Sequence, residues 1–150
     1  MTDGPILFCY DGSDNADHAI EVTAGLLGSR RSVVLDVGPP LTAAESLATI
    51  SPVVPGAAFE DLNTADALTR ARAGAEHAIT AGFDAEPRAT IGAPNWEAIV
   101  DVADEIDASV IVLGSRGLSG ARELLVGSVS HEVAEHAGRP VLIVPPARGA

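Results

Sequence analysis

Five short apolar runs set the fold of this chain: Pro5 to Tyr10, Ser32 to Val37, Glu86 to Ile91, Ser109 to Leu113 and Val141 to Val144. Their apolar residues do not alternate with polar ones. A strand with one wet face alternates, so runs of this kind predict strands covered on both faces, as in a parallel sheet. Segments with helical spacing separate the runs, giving the order β-α-β-α-β-α-β-α-β. Right-handed crossovers then wind the helices onto both faces of a single five-stranded sheet.

The helical segments carry their own punctuation. Residues 14 to 28 place Ala16, Ala19, Ile20, Thr23, Ala24 and Leu27 on one stripe, with Ser13 or Asp14 at the start and Gly28 at the end. Asn63 or Thr64 is positioned to cap a second helix reaching about Ala81, with Leu68, Ala71, Ala75, Ala78 and Ile79 facing inward. Trp96, Ile99, Ala103 and Ile106 form a third stripe, Glu97, Asp101, Asp104 and Glu105 face away from it, and Trp96 reads as a helix-to-sheet anchor. The fourth helix runs from about Ser128 to Ala137. One domain of 150 residues accounts for everything, with a flexible Pro- and Ala-rich excursion at about 38–61 broken by Pro39, Pro40, Pro52 and Pro55.

The formal charge of −12 argues against nucleic acid and anionic membranes as partners. All nine basic residues are arginine, which excludes lysine chemistry such as a Schiff base or the lysine of a Walker A loop. Cys9 is the single cysteine, so no intrachain disulfide forms, and it reads as a small core side chain. The apolar run Ile6 to Tyr10 is too short for a signal peptide or a membrane span, and a cytoplasmic setting is the expectation.

The chemistry concentrates after the fourth strand. Gly114, Gly117, Gly127 and Ser128 form the pattern Gly-x2-Gly-x9-Gly-Ser between a buried strand and a helix start. Glycines there let backbone N–H groups converge on an anion, and the helix dipole adds attraction. Arg116 and Arg122 lie between the glycines, where a guanidinium either neutralises phosphate charge or faces solvent. In a doubly wound sheet ligands bind beyond the carboxyl ends of the strands, which gathers Tyr10 to Ser13, Val37 to Gly38 and Gly114 to Gly117 around one crevice. His18 and His77 fall at exposed or marginal helix positions with no second ligand at metal spacing. His131, in the first turn of the last helix, belongs either to its surface or to the neighbourhood of the ligand.

With this glycine pattern, the Asp11-Gly12-Ser13 turn after the first strand and the closing Gly138 to Val144 (GRPVLIV), the whole chain resembles the universal stress protein family, in its ATP-binding branch. The resemblance implies a Rossmann-like fold of the adenine nucleotide alpha hydrolase type. It implies that Asp11 contacts the adenine or ribose end of ATP and that Val37 meets the base. Gly114 and Gly117 would pass under ribose and α-phosphate, and Gly127, Ser128, Val129 and Ser130 would offer donors to the phosphates. Tyr10, Ser13 and Arg116 complete the candidate set, with any Mg2+ held mainly by the phosphates. The family is typically dimeric through its last strand, here Val141 to Val144. One departure stands out: relatives often carry His-Val at the end of the second strand, and this chain has Asp36-Val37.

The implied function is a nucleotide-dependent regulatory dimer of a stress response. Two rivals remain: a weak ATPase or phosphotransfer enzyme, and a structural or interaction dimer that binds no nucleotide. Hydrolysis needs an oriented water and a base with a paired orienter, and no such pair is evident, so slow turnover is the most that is expected. A receiver domain is excluded by a third strand ending in Ile91-Gly92 and by the missing lysine. A dinucleotide oxidoreductase is excluded by DGSDNAD where Gly-x-Gly-x-x-Gly belongs.

Overall fold

The computed structural model describes residues 3–39, 56–116 and 128–149, and of 56–61 the backbone alone. The strands are β1 (Ile6–Cys9), β2 (Arg31–Gly38), β3 (Asp84–Ile91), β4 (Val110–Gly114) and β5 (Val141–Val144). The helices are α1 (Asp14–Leu27), α2 (Gly56–Thr80), α3 (Asn95–Glu105) and α4 (Ser128–His136). All strand pairs are parallel, in the order β3-β2-β1-β4-β5. The chain order reverses between β1 and β4, so the switch point of the sheet lies at their carboxyl ends.

The unalternating runs behave as their composition demands. Ile6, Phe8, Tyr10, Val34 and Val112 point to one face and join Ala16, Ala19 and Ile20 of α1 with Ala75 and Ala78 of α2. Leu7, Val33, Leu35, Ile111 and Leu113 point to the other and meet Ile99, Val102 and Ala103 of α3 with Val133 of α4. Each β1 residue therefore feeds one of two cores, and no face of the strand is left for water. Phe8 and Phe83 meet edge to face, with ring centroids 5.1 Å apart.

Ser13 caps α1 by accepting the Ala16 N–H at 3.2 Å, and Asp14 and Asp17 add favourable charge in the first turn. The α1 stripe is buried as expected at Ala16, Ala19, Ile20 and Thr23, but Leu27 is exposed. Leu27 is the last residue of the helix.

The second helix differs more from expectation. It begins at Gly56, two turns before Asn63 and Thr64, so the broken excursion is shorter than 38–61 and neither residue caps the helix. Proline breaks a helix that runs into it but is compatible with the start of one, so Pro55 in the sequence does not oppose a helix beginning at Gly56. Asn63 instead donates to the carbonyl of Pro39 at 3.3 Å. The buried stripe is Ala67, Ala71, Ala75 and Ala78, while Ile79 is exposed. A helix turns about 100° per residue, so burying Ala78 rotates its neighbour outward. Small side chains on this stripe let α2 lie close on β2 and β3.

Trp96 is half-buried against the α3 and α4 side of the core, and its ring also stacks on His136 of α4, with centroids 4.4 Å apart. It therefore joins helix to helix as well as helix to sheet. Arg139 donates to the carbonyls of Ala103 and Ala108 at 2.9 and 2.8 Å and pairs with Asp104, closing the end of α3. Glu97, Asp101, Asp104 and Glu105 are exposed, as the acidic face of α3 requires.

Candidate functional site

Three elements meet at the switch point. After β1 the chain turns through Asp11, Gly12 and Ser13 into α1, with Gly12 at φ 80, a conformation glycine adopts without the Cβ clash of other residues. The Asp11 carboxylate accepts the Ser13 N–H at 2.9 Å, an Asx turn that leaves its second oxygen for other partners. Ser13 uses its hydroxyl on the α1 cap.

At the end of β4, Gly114 lies directly under Asn15 of α1: a Cβ at Gly114 would stand 2.9 Å from the Asn15 Cγ. Asn15 is buried and divides its amide between two chain segments. Its Oδ1 accepts the Arg116 N–H at 2.9 Å, and its Nδ2 donates to the Val144 carbonyl at 3.2 Å. Opposite, the buried Ser130 hydroxyl donates to the Gly114 carbonyl at 3.2 Å, so the first turn of α4 is tied to the tip of β4. Ser128 is exposed at the start of α4, and Val129 packs partly into the core. The first N–H groups of a helix have no intrahelical acceptor, and α4 begins beside this tip.

The sequence-derived residues thus fall into distinct groups. Asp11, Ser13, Gly114, Arg116, Ser128, Val129 and Ser130 come together around the switch point. Val37 stands one strand away, at the end of β2, with its side chain partly packed on the α3 side. Tyr10 is buried: its hydroxyl donates to Asp17 at 2.7 Å and its ring lies against Gly74 of α2, which leaves its backbone at the crevice. Burial and the Asp17 carboxylate push its phenol above the ordinary range. Cys9 ends β1 and its thiol is pushed up by burial, as suits a packing residue. Gly117, Arg122 and Gly127 lie outside the described residues.

Two partners of this site were not read from the sequence. One is Asn15, whose signal was a polar residue one helical turn before Ala19 on the buried stripe. The other is an ion pair. Asp36, 2% exposed, receives both Nε and Nη2 of Arg70 from α2, at 2.8 and 3.1 Å. Burial raises the Asp36 carboxyl, Arg70 opposes that shift and Asp11 adds to it, with a net upward result. The hydrogen bond that Arg70 donates to Asp36 raises the guanidinium in turn. The charge at the end of β2 is therefore a paired one.

His131 is exposed on α4 and faces Glu135 at 3.7 Å, so it belongs to the helix surface. His77 faces Glu21 across α1 and α2 at 3.2 Å. Among the described residues, the side chains grouped closely enough for a metal are Glu132, Glu135 and His136, in the second half of α4 rather than at its opening turn. No helix of the described residues is long and apolar enough to cross a membrane.

A parallel sheet of this order, with a turn, a close glycine and a helix start converging on its switch point, defines a doubly wound α/β protein. The chain belongs to the universal stress protein family, whose model matches residues 4–145. The universal stress protein YxiE of Bacillus subtilis is 33% identical over 144 residues, covering 93% of this chain and 97% of that protein. Among solved structures, MJ0577 of Methanocaldococcus jannaschii superposes with a TM-score of 0.77 at 22% identity, covering 99% of this chain and 100% of that one. A universal stress protein solved in complex with cAMP superposes with a TM-score of 0.57 at 27% identity, covering 95% and 96% of the two chains.

Proposed function

We propose that this protein is an ATP-binding regulator that holds its nucleotide across the switch point, with the base toward Asp11 and Val37 and the phosphates toward Gly114 and the start of α4. The observation that carries this reading is the joining of the β4 tip to the first turn of α4 through Ser130 and Gly114. It fixes a helix start, whose first N–H groups have no intrahelical acceptor, next to a glycine that lets a ligand approach the backbone. The cAMP complex of a related protein supports an adenine nucleotide as the class of ligand. Gly117, Gly127, Ser128 and Val129 complete the phosphate side, and Arg116 stands beside it.

The residues at hand suit a nucleotide better than a protein-held metal. The crevice offers backbone donors and an Asp11 oxygen not used by the Asx turn, while the grouped acids of the described residues lie farther along α4. A Mg2+ ion would therefore be held mainly by the phosphates. Among the described residues no base with a paired orienter stands at the crevice, which favours retention of ATP over turnover.

Thermal stabilisation by ATP tests the reading. The wild-type protein is expected to melt at higher temperature as ATP is added, and Gly127→Val combined with Ser128→Ala is expected to abolish that response. A wild-type melting temperature indifferent to ATP, or a response that survives the double substitution, rejects it.

A further inference from the structure

One charged side chain at the base end of the crevice has no role in the account so far. Arg70 reaches from α2 across the tip of the sheet, with its stem beside the β1 turn: a Cβ at Gly12 would stand 3.7 Å from the Arg70 Cδ. Its guanidinium is locked by the fork on Asp36, which is in turn opposite Tyr10 one step beyond the Cys9 and Leu35 pair. Nε and Nη2 are committed to that carboxylate, and Nη1 has no acceptor among the described residues. The side chain is 39% exposed although its partner's is only 3% exposed, so the pair is buried at one end and open at the other.

This geometry differs from an ordinary surface ion pair. A free arginine must lose rotamer freedom to contact a ligand, whereas one already fixed by a buried bidentate carboxylate does not. Arg70 also stands between the two walls to which the base is assigned, with its stem beside the Asp11 turn and its guanidinium on Asp36 at the end of β2. The neighbouring charges are Asp11, Asp36 and Asp66, so Arg70 is the one cation in an otherwise acidic corner of the described residues.

We propose that Arg70 is a specificity-determining residue of this crevice, presenting a fixed N–H edge beside Gly12 to a hydrogen-bond acceptor on the nucleobase. The inference rests on the nucleotide reading above and adds a residue to it. Asp36 is the positioning partner that orients the guanidinium, and the corner discriminates among ligands by their base rather than by their phosphates.

Calorimetric titration with two probes, ATP and inorganic tripolyphosphate, separates the base end from the phosphate end. Arg70→Met is expected to weaken ATP binding roughly tenfold, the loss of one charge-assisted hydrogen bond, and to change tripolyphosphate binding by less than about twofold. Arg70→Lys keeps the charge but not the fork, and its loss is expected to approach that of Met. Because Arg70→Met strands a buried carboxylate, the paired substitution Asp36→Leu with Arg70→Met serves as the control for folding and is expected to show the same selective loss. Wild-type affinity for ATP in either variant, or equal weakening of both probes, overturns the proposal while leaving the nucleotide reading in place. A wild-type protein that binds neither probe overturns both.

Discussion

Asn15 and Arg116, 101 positions apart in the chain, are joined by a 2.9 Å hydrogen bond from the Arg116 N–H to the Asn15 side-chain oxygen. Through the same amide Asn15 also holds the Val144 carbonyl at the end of β5. One buried side chain in the first helix thus fixes where the chain leaves β4 and enters the glycine loop. Asn15→Ala is expected to destabilise the protein by about 2–3 kcal/mol, from two lost hydrogen bonds and a stranded N–H. Urea unfolding measures the loss. ATP-dependent thermal stabilisation should fall as well, since the loop is no longer pinned at its first residue.

Gly74 marks a close approach of α2 to the sheet. A Cβ there would stand 2.8 Å from the Tyr10 ring and 2.9 Å from Val34 Cγ1, both in the core. Gly74→Ala is expected to cost about 1–3 kcal/mol by overpacking, despite the better helix propensity of alanine. A melting temperature at or above wild type would show that α2 can move away freely.

Asp36 makes a prediction about pH. Its carboxyl lies above the ordinary value because burial outweighs the pull of Arg70. A carboxyl raised in the folded state binds its proton more tightly there than in the unfolded chain. Its contribution to stability is present at low pH and is lost as pH rises from about 4 through the raised value. The stability of wild type relative to Asp36→Asn should therefore decline across that window in urea titrations at successive pH values. A relative gain with rising pH would mean that the Arg70 charge outweighs burial.

The strand β5 lies at one edge of the sheet, with Val141, Leu142 and Ile143 only partly buried. An apolar edge of this kind invites pairing with a second copy. Sedimentation of the wild type is expected to give a dimer, and Leu142→Arg is expected to shift it to monomer at micromolar concentration. A monomeric wild type would remove the edge from consideration as the interface.

Apolar runs made the sheet legible because burial on both faces leaves its mark on every residue of a strand. β5 was read at its full extent, and the other strands to within about two residues at their ends. Ser13, one of two cap residues the sequence offers, and the buried Ala71, Ala75 and Ala78 of α2 were legible because each depends on near neighbours, whereas the buried Ala67 was not read. Ile79 was misread because a stripe of alanines tolerates more than one rotation of its helix. The start of α2 was misread because proline signals both a break and a beginning.

What the sequence alone determined here is whatever follows from local pattern: a parallel doubly wound sheet, a glycine pattern after β4 and a helix opening with serine. Tertiary structure decided which side chains reach one another across the crevice. Asp36 read as a bare charge at a strand end, and only the seating of α2 on β2 turned it into the anchor of Arg70. Asn15 read as one more helical residue until α1 was laid across the tips of β4 and β5. Such contacts join positions 34 to 129 residues apart. No spacing along the chain encodes them, because they depend on how closely two elements pack and how each is rotated.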